Sequence, residues 1–191
     1  MTTTLRLKPA IALSDSQFFG LCQNNPDLKF ELNSRGDLTI MPPTGGETGK
    51  RNAELTADFI IWNRQVGLGI VFDSSTCFAL PNGSRRSPDV AWIKKERWDT
   101  LTPEQQEKFP PLCPDFVLEL LSPSDSLSAI QAKMQDYQAN GLPLGWLINP
   151  SERQVEIYRL NQPVEVLSSP TTLSGETILP HLVLNVGWLW S

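Results

Sequence analysis

The chain has 191 residues, 40% of them hydrophobic and 19% charged, with 16 Lys plus Arg against 21 Asp plus Glu for a net charge of -5. That length suits one domain spanning residues 1–191, with enough apolar content for a real core, and the composition excludes disorder as the default. The acidic balance argues against strong, sequence-blind attachment to polyphosphate, though not against a local groove whose acids are neutralised by a divalent cation. Three widely spaced cysteines, Cys22, Cys77 and Cys113, fit neither a disulfide framework nor a zinc site. The N-terminus lacks the apolar region of a secretory signal, and no run reaches membrane-spanning length, so a cytoplasmic location with no membrane association is expected.

Ser14 and Gln17 have capping-box spacing, and Phe18, Phe19, Leu21 and Cys22 then fit a short amphipathic helix ended by Asn24, Asn25 and Pro26. Residues 28–32 and 37–41 read as a hairpin turned by Asn33 to Gly36. A loop rich in Pro and Gly leads to a helix over residues 47–65, with Leu55, Phe59 and Trp62 at helical spacing. Residues 70–72 and 76–80 suggest a second hairpin, followed by a turn at Pro81-Asn82-Gly83. Ser87, Pro88 and Asp89 open a strand at residues 90–93. Residues 94–114 form a polar excursion anchored by Trp98, Leu101 and Phe109.

The next stretch organises the chain. Residues 116–121 are apolar except for Glu119, and Pro114-Asp115 and Ser122-Pro123 bound them. A short apolar run between turn signals predicts a strand buried on both faces. An ionised carboxylate there is costly unless it is paired, hydrogen-bonded or bound to metal. After it, Leu127, Ile130, Met134 and Tyr137 mark one face of a helix stopping near Asn140-Gly141. Residues 144–148 read as a strand, 155–158 and 164–167 as a closing meander. The Trp-rich tail at residues 182–190 packs on the core or forms a dimer contact.

If the strands bearing Asp89 and Glu119 are neighbours, their carboxylates can converge on one hard cation, magnesium or manganese, with the Leu120 carbonyl as a further ligand. Lys133 lies on the flank of the apolar stripe of its helix, from where its ammonium can lean toward Glu119 and offset phosphoryl charge. Each has a plain alternative: Asp89 as a turn cap, Glu119 in a buried structural pair, Lys133 as a solvated lysine with its stem on the core. Arg85-Arg86 is the tight basic pair nearby, either a phosphate contact or a solvated turn. His181 has no second histidine near it and reads as structural.

Ser87 to Ile93, Pro114 to Asp125, Lys133 to Tyr137 and Gly145 to Pro150, with the earlier Phe30 to Leu38 and Met41 to Pro43, closely resemble the Uma2 family, a bacterial family of proposed endonucleases also described as a domain of unknown function. The resemblance covers roughly residues 15–160. It implies an α/β restriction-endonuclease-like fold, a central mixed β-sheet flanked by α-helices with an added N-terminal helix and hairpin, carrying a PD-(D/E)xK type site. By motif, Asp89 is the aspartate after Pro and Glu119 the acid of the next strand. Leu121 stands where the usual lysine would be, and Lys133 of the following helix takes its place. A further acid often joins such sites, with Glu54 and Glu31 the candidates and Glu47 a weaker one. The implied activity is metal-dependent hydrolysis of nucleic acid, DNA favoured over RNA, and a homodimer would suit cleavage of two strands. The rival readings are a non-catalytic metal or nucleic-acid clamp and a scaffold protein retaining the fold.

Overall fold

The computed structural model describes residues 2–190. It has thirteen strands, β1 (Thr3–Arg6), β2 (Lys29–Leu32), β3 (Asp37–Met41), β4 (Gly69–Asp73), β5 (Phe78–Ala79), β6 (Arg85–Arg86), β7 (Val90–Lys94), β8 (Phe116–Leu120), β9 (Leu144–Asn149), β10 (Gln154–Arg159), β11 (Glu165–Ser168), β12 (Thr172–Ser174) and β13 (Val183–Asn185). Five α-helices accompany them, α1 (Asp15–Asn24), α2 (Gly46–Val66), α3 (Lys95–Trp98), α4 (Pro103–Glu107) and α5 (Leu127–Ala139), with a 3-10 turn at Gly187–Trp190. The fold is α/β, built on a central mixed sheet of six strands in the order β11-β10-β9-β8-β7-β4. Only the β8–β9 pair is parallel in that sheet, and α5 makes the crossover between them. A second sheet, β1-β3-β2-β6-β5, carries the N-terminal hairpin, and β12-β13 forms a two-stranded ribbon.

The strand over residues 116–120 lies inside the central sheet, and all five of its residues are buried. Its two faces feed two cores. Phe116, Leu118 and Leu120 pack with Leu55, Phe59 and Trp62 of α2, while Val117 packs with Met134 and Tyr137 of α5. Burying each large side chain contributes about 1.5–3 kcal/mol, which offsets the desolvation of the one acid among them. Glu119 faces the α5 side, as the period of two requires for a residue sharing a face with Val117.

Three expectations need correction or extension. The second hairpin does not form: β4 pairs with β7, from Gly69↔Lys94 to Asp73↔Val90, whereas β5 pairs with β6 in the other sheet. Gly69 explains the first pairing, because a Cβ there would lie 2.3 Å from the Ile93 carbonyl oxygen and the Trp92 ring. Asp73 turns the chain away by accepting hydrogen bonds from the Ser75 amide and hydroxyl, so the two halves enter different sheets. Strand β1, which sequence periodicity did not mark, adds to β3 with Thr3↔Ile40 as its first pair. In the tail, Leu189 is buried in the core and Trp190 packs beside it, its indole donating to the Pro170 carbonyl. Among the described residues no helix is long and apolar enough to cross a membrane.

Candidate active site

The antiparallel register of β7 and β8 pairs Val90 with Leu118. Continued by one residue, it sets Asp89 opposite Glu119. The Leu120 amide donates to Asp89 Oδ2 at 2.8 Å, and Asn52 Nδ2 of α2 donates to Asp89 Oδ1 at 3.0 Å. Asp89 is thus oriented by the strand beside it and by a helix.

Lys133 reaches the same place from α5. Its Nζ lies 2.8 Å from Glu119 Oε1 and 2.7 Å from Glu31 Oε1, and donates to the Ser87 carbonyl at 2.9 Å. All three side chains are buried, with exposures of 7% for Lys133, 4% for Glu119 and 3% for Glu31. The helix can come this close because β9 carries Gly145 beneath it. A Cβ there would sit 2.7 Å from Met134 Cε and 2.8 Å from Leu142 Cδ2.

The two acids that share Lys133 are held differently. Burial raises the Glu31 carboxyl, but Lys133 and Arg86 outweigh it, and the Ser87 amide adds a hydrogen bond at 3.0 Å, so its pKa falls below the ordinary value. Burial also raises Glu119, and there Lys133 is opposed by the charges of Asp89 and Glu31, so its pKa is pushed up to about 7. The Tyr137 hydroxyl adds a bond of 3.3 Å to Glu119. Asp89 is raised as well, by burial, despite its bond from Leu120. Lys133 loses from burial but gains more from Glu119 and Glu31, and its pKa rises. The ammonium is therefore charged, Glu31 is its permanent counterion, and Glu119 is the acid readiest to exchange a proton or a partner.

Asp89, Glu119, Leu120 and Lys133 all line one cavity of about 480 Å³. Glu31 does not line it: its Oε1 meets Lys133, and its Oε2 accepts from Arg86 Nη1 at 3.2 Å. Glu54 is exposed on α2 and off the cavity, while Glu47 is exposed at its rim. Arg85 and Arg86 are neither a solvated turn nor open to the cavity. Arg85 is buried against Asp15 and the Gly83 and Ser84 carbonyls. Arg86 bridges Glu31 and Asp136, with Nη2 2.7 Å from Asp136 Oδ2.

Among the described residues no cluster of three His, Cys, Asp or Glu side chains is positioned for a metal ion. Four carboxylate residues line the cavity, Asp89 and Glu119 on the paired strands with Glu47 and Asp125 besides, and so does Asn52, whose Oδ1 is buried and has no hydrogen-bond partner. An all-oxygen set with one or two carboxylates suits a hard cation that keeps some of its water, as magnesium does. Sequence reasoning passed over Asn52 and the Arg86–Asp136 pair. Asn52 carries no charge to flag it, and Asp136 reads as an ordinary polar position on α5.

Comparison with known proteins gives a consistent picture. A crystal structure described as a putative nuclease belonging to DUF820 from Anabaena variabilis superposes with a TM-score of 0.77 at 20% identity, covering 94% of this chain and 98% of the other. At that identity the likeness is one of fold. Comparison with curated proteins finds no match. The family described as Uma2, putative restriction endonuclease, matches residues 15–187. With nearly the whole chain matched and a nuclease-like fold beneath it, this protein belongs to the Uma2 family.

Proposed function

We propose that the chain is an endonuclease that hydrolyses phosphodiester bonds in nucleic acid, DNA in preference to RNA, using magnesium or manganese held by Asp89, Glu119 and the Leu120 carbonyl. The observation that carries this reading is the contact of Lys133 Nζ with Glu119 at 2.8 Å, on the wall of a cavity shared with Asp89. Two acids and a lysine around one cavity are the parts that phosphoryl-transfer hydrolysis needs. When bound, the cation would lower the pKa of water and offset charge on a phosphoryl oxygen.

The remaining chemistry belongs to the side chains. Asp89 enters oriented, because Leu120 and Asn52 both donate to it. Glu119 can release Lys133 to take up another partner, since Glu31 and the Ser87 carbonyl still hold the ammonium. Lys133 then has a donor free for a phosphate oxygen or an attacking water. The net charge of -5 makes local neutralisation by cation and lysine more important than long-range steering. A homodimer acting in the cytoplasm would supply two such sites for two strands.

The test is cleavage of supercoiled plasmid, single-stranded DNA and RNA with manganese, magnesium or EDTA, comparing wild type with Asp89→Ala and Glu119→Ala. Metal-dependent cleavage absent from both variants is expected, with the fold retained. Undiminished cleavage by both would sink the assignment. A second reading, a clamp that binds metal or nucleic acid without turnover, draws on the fact that all three contacts of Lys133 are internal. It predicts metal uptake that needs the same acids and no cleavage of any substrate.

A further inference from the structure

The oxygen ligands named so far come from the central sheet, yet α2 also presents a face to the cavity. Thr48 and Asn52, one helical turn apart, both line it. The Asn52 amide is used at one end only. Its Nδ2 donates to Asp89 Oδ1 at 3.0 Å, while its Oδ1 is buried with no hydrogen-bond partner. A buried acceptor left unmatched is costly, and native structures rarely tolerate one without a reason.

The amide cannot solve this by turning over. That would aim its oxygen at the Asp89 carboxylate and leave the NH₂ group where Oδ1 now lies. Nor can Lys133 supply the missing partner, because an ammonium has three donors and Lys133 already meets Glu31, Glu119 and Ser87. Lys29 lines the cavity too but makes no bond to Asn52. No group of the chain meets this oxygen, which leaves it to a water or a cation, and amide carbonyl oxygens are ordinary ligands of hard divalent cations.

We infer that Asn52 is the accessory ligand of the cation site, giving its Oδ1 to the same ion that Asp89 and Glu119 hold. This rests on the reading under Proposed function. It also accounts for the accessory acids: Glu54 lies off the cavity, Glu31 is consumed by Lys133, Arg86 and Ser87, and the helix provides a neutral oxygen instead.

The experiment is calorimetric titration of manganese alone into metal-free protein near neutral pH, for wild type, Asn52→Ala, Asn52→Asp and Asp89→Ala, with metal-free thermal melts to check folding. Asn52→Ala is expected to weaken manganese binding by about ten-fold or more. Asn52→Asp keeps an oxygen at the position but loses the donor to Asp89, and is expected to bind at least as tightly as wild type. Wild-type affinity in Asn52→Ala would overturn the inference. So would equal weakening in both Asn52 variants, which would make the residue only a hydrogen-bond donor to Asp89. If wild type takes up no manganese, or Asp89→Ala binds as well as wild type, the two-acid site falls and this inference with it.

Discussion

Glu119→Gln separates a strained acid from a stabilising ion pair, two roles that a 2.8 Å contact with Lys133 allows equally. Its carboxyl moves from an ordinary 4.5 to about 7 on folding, burial first and the charges of Asp89 and Glu31 next. At about 1.4 kcal/mol for each pH unit, that displacement is worth on the order of 3 kcal/mol. The sign follows from proton uptake. A group whose pKa rises on folding stabilises the native state at low pH, and this contribution is lost as pH rises through the folded value. Metal-free wild type should therefore lose stability between about pH 4.5 and pH 8. Asp89, also raised, pulls the same way. Glu31, lowered, loses its contribution only as pH falls through its own depressed value, and Lys133, raised, keeps its contribution throughout this window. Gln cannot titrate, so the variant should flatten the profile by about 3 kcal/mol. Urea denaturation of both proteins at closely spaced pH values measures it directly. If wild type instead gains stability toward pH 8 and Gln abolishes the gain, Glu119 is a stabilising partner of Lys133 and the argument from burial is wrong.

Lys133→Met leaves two buried acids with one cation fewer, a change that usually costs about 3–5 kcal/mol. Here the low end is expected, because Glu31 keeps Arg86 and the Ser87 amide, and Glu119 can protonate; the cost should be greater at pH 8 than at pH 6, and equal stability of the two proteins at pH 8 would refute it. Gly145→Ala forces a Cβ against Met134 and Leu142, at 2.7 Å and 2.8 Å before any relaxation, and should cost about 1–3 kcal/mol. Because Met134 follows Lys133 on α5, the same variant should weaken metal-dependent cleavage without touching an acid, while cleavage and thermal stability unchanged together would show that α5 does not depend on this seat.

Features carried by a local pattern were legible in the sequence. The buried strand at residues 116–120 declared itself by a run apolar but for one residue, and α2 and α5 by spacing of their core residues. Glu119 stood out because a charge interrupted that run. The second hairpin was misread because adjacency in the chain was taken for pairing, when Gly69 fits against Trp92 and Phe78 belongs to another sheet. Asn52, Asp136 and the pairing of Arg86 were hidden for a different reason. Polar residues on a helix or beside a turn look the same whether they meet water or one another, and only the packing of α2 and α5 on opposite faces of the sheet decides which.

The displacement of the lysine from strand to helix has a structural consequence. A lysine two residues after Glu119 would be fixed by β-sheet register, which admits no small errors because a slip of one residue reverses the faces. A lysine on α5 is fixed by how the helix sits, which packing can shift by fractions of an ångström. The chain answers with a second anchor drawn from the other sheet: Glu31 of β2 binds Lys133, and Arg86 of β6 ties Glu31 to Asp136 on α5, three residues beyond Lys133. Asn82 and Ser84 complete the tie by donating to the two Asp136 oxygens at 2.7 Å and 2.8 Å. The five-stranded sheet is thereby part of the site. Its hairpin brings Lys29 and Met41 to the cavity wall and, through Glu31, sets the position of the ammonium that Glu119 contacts.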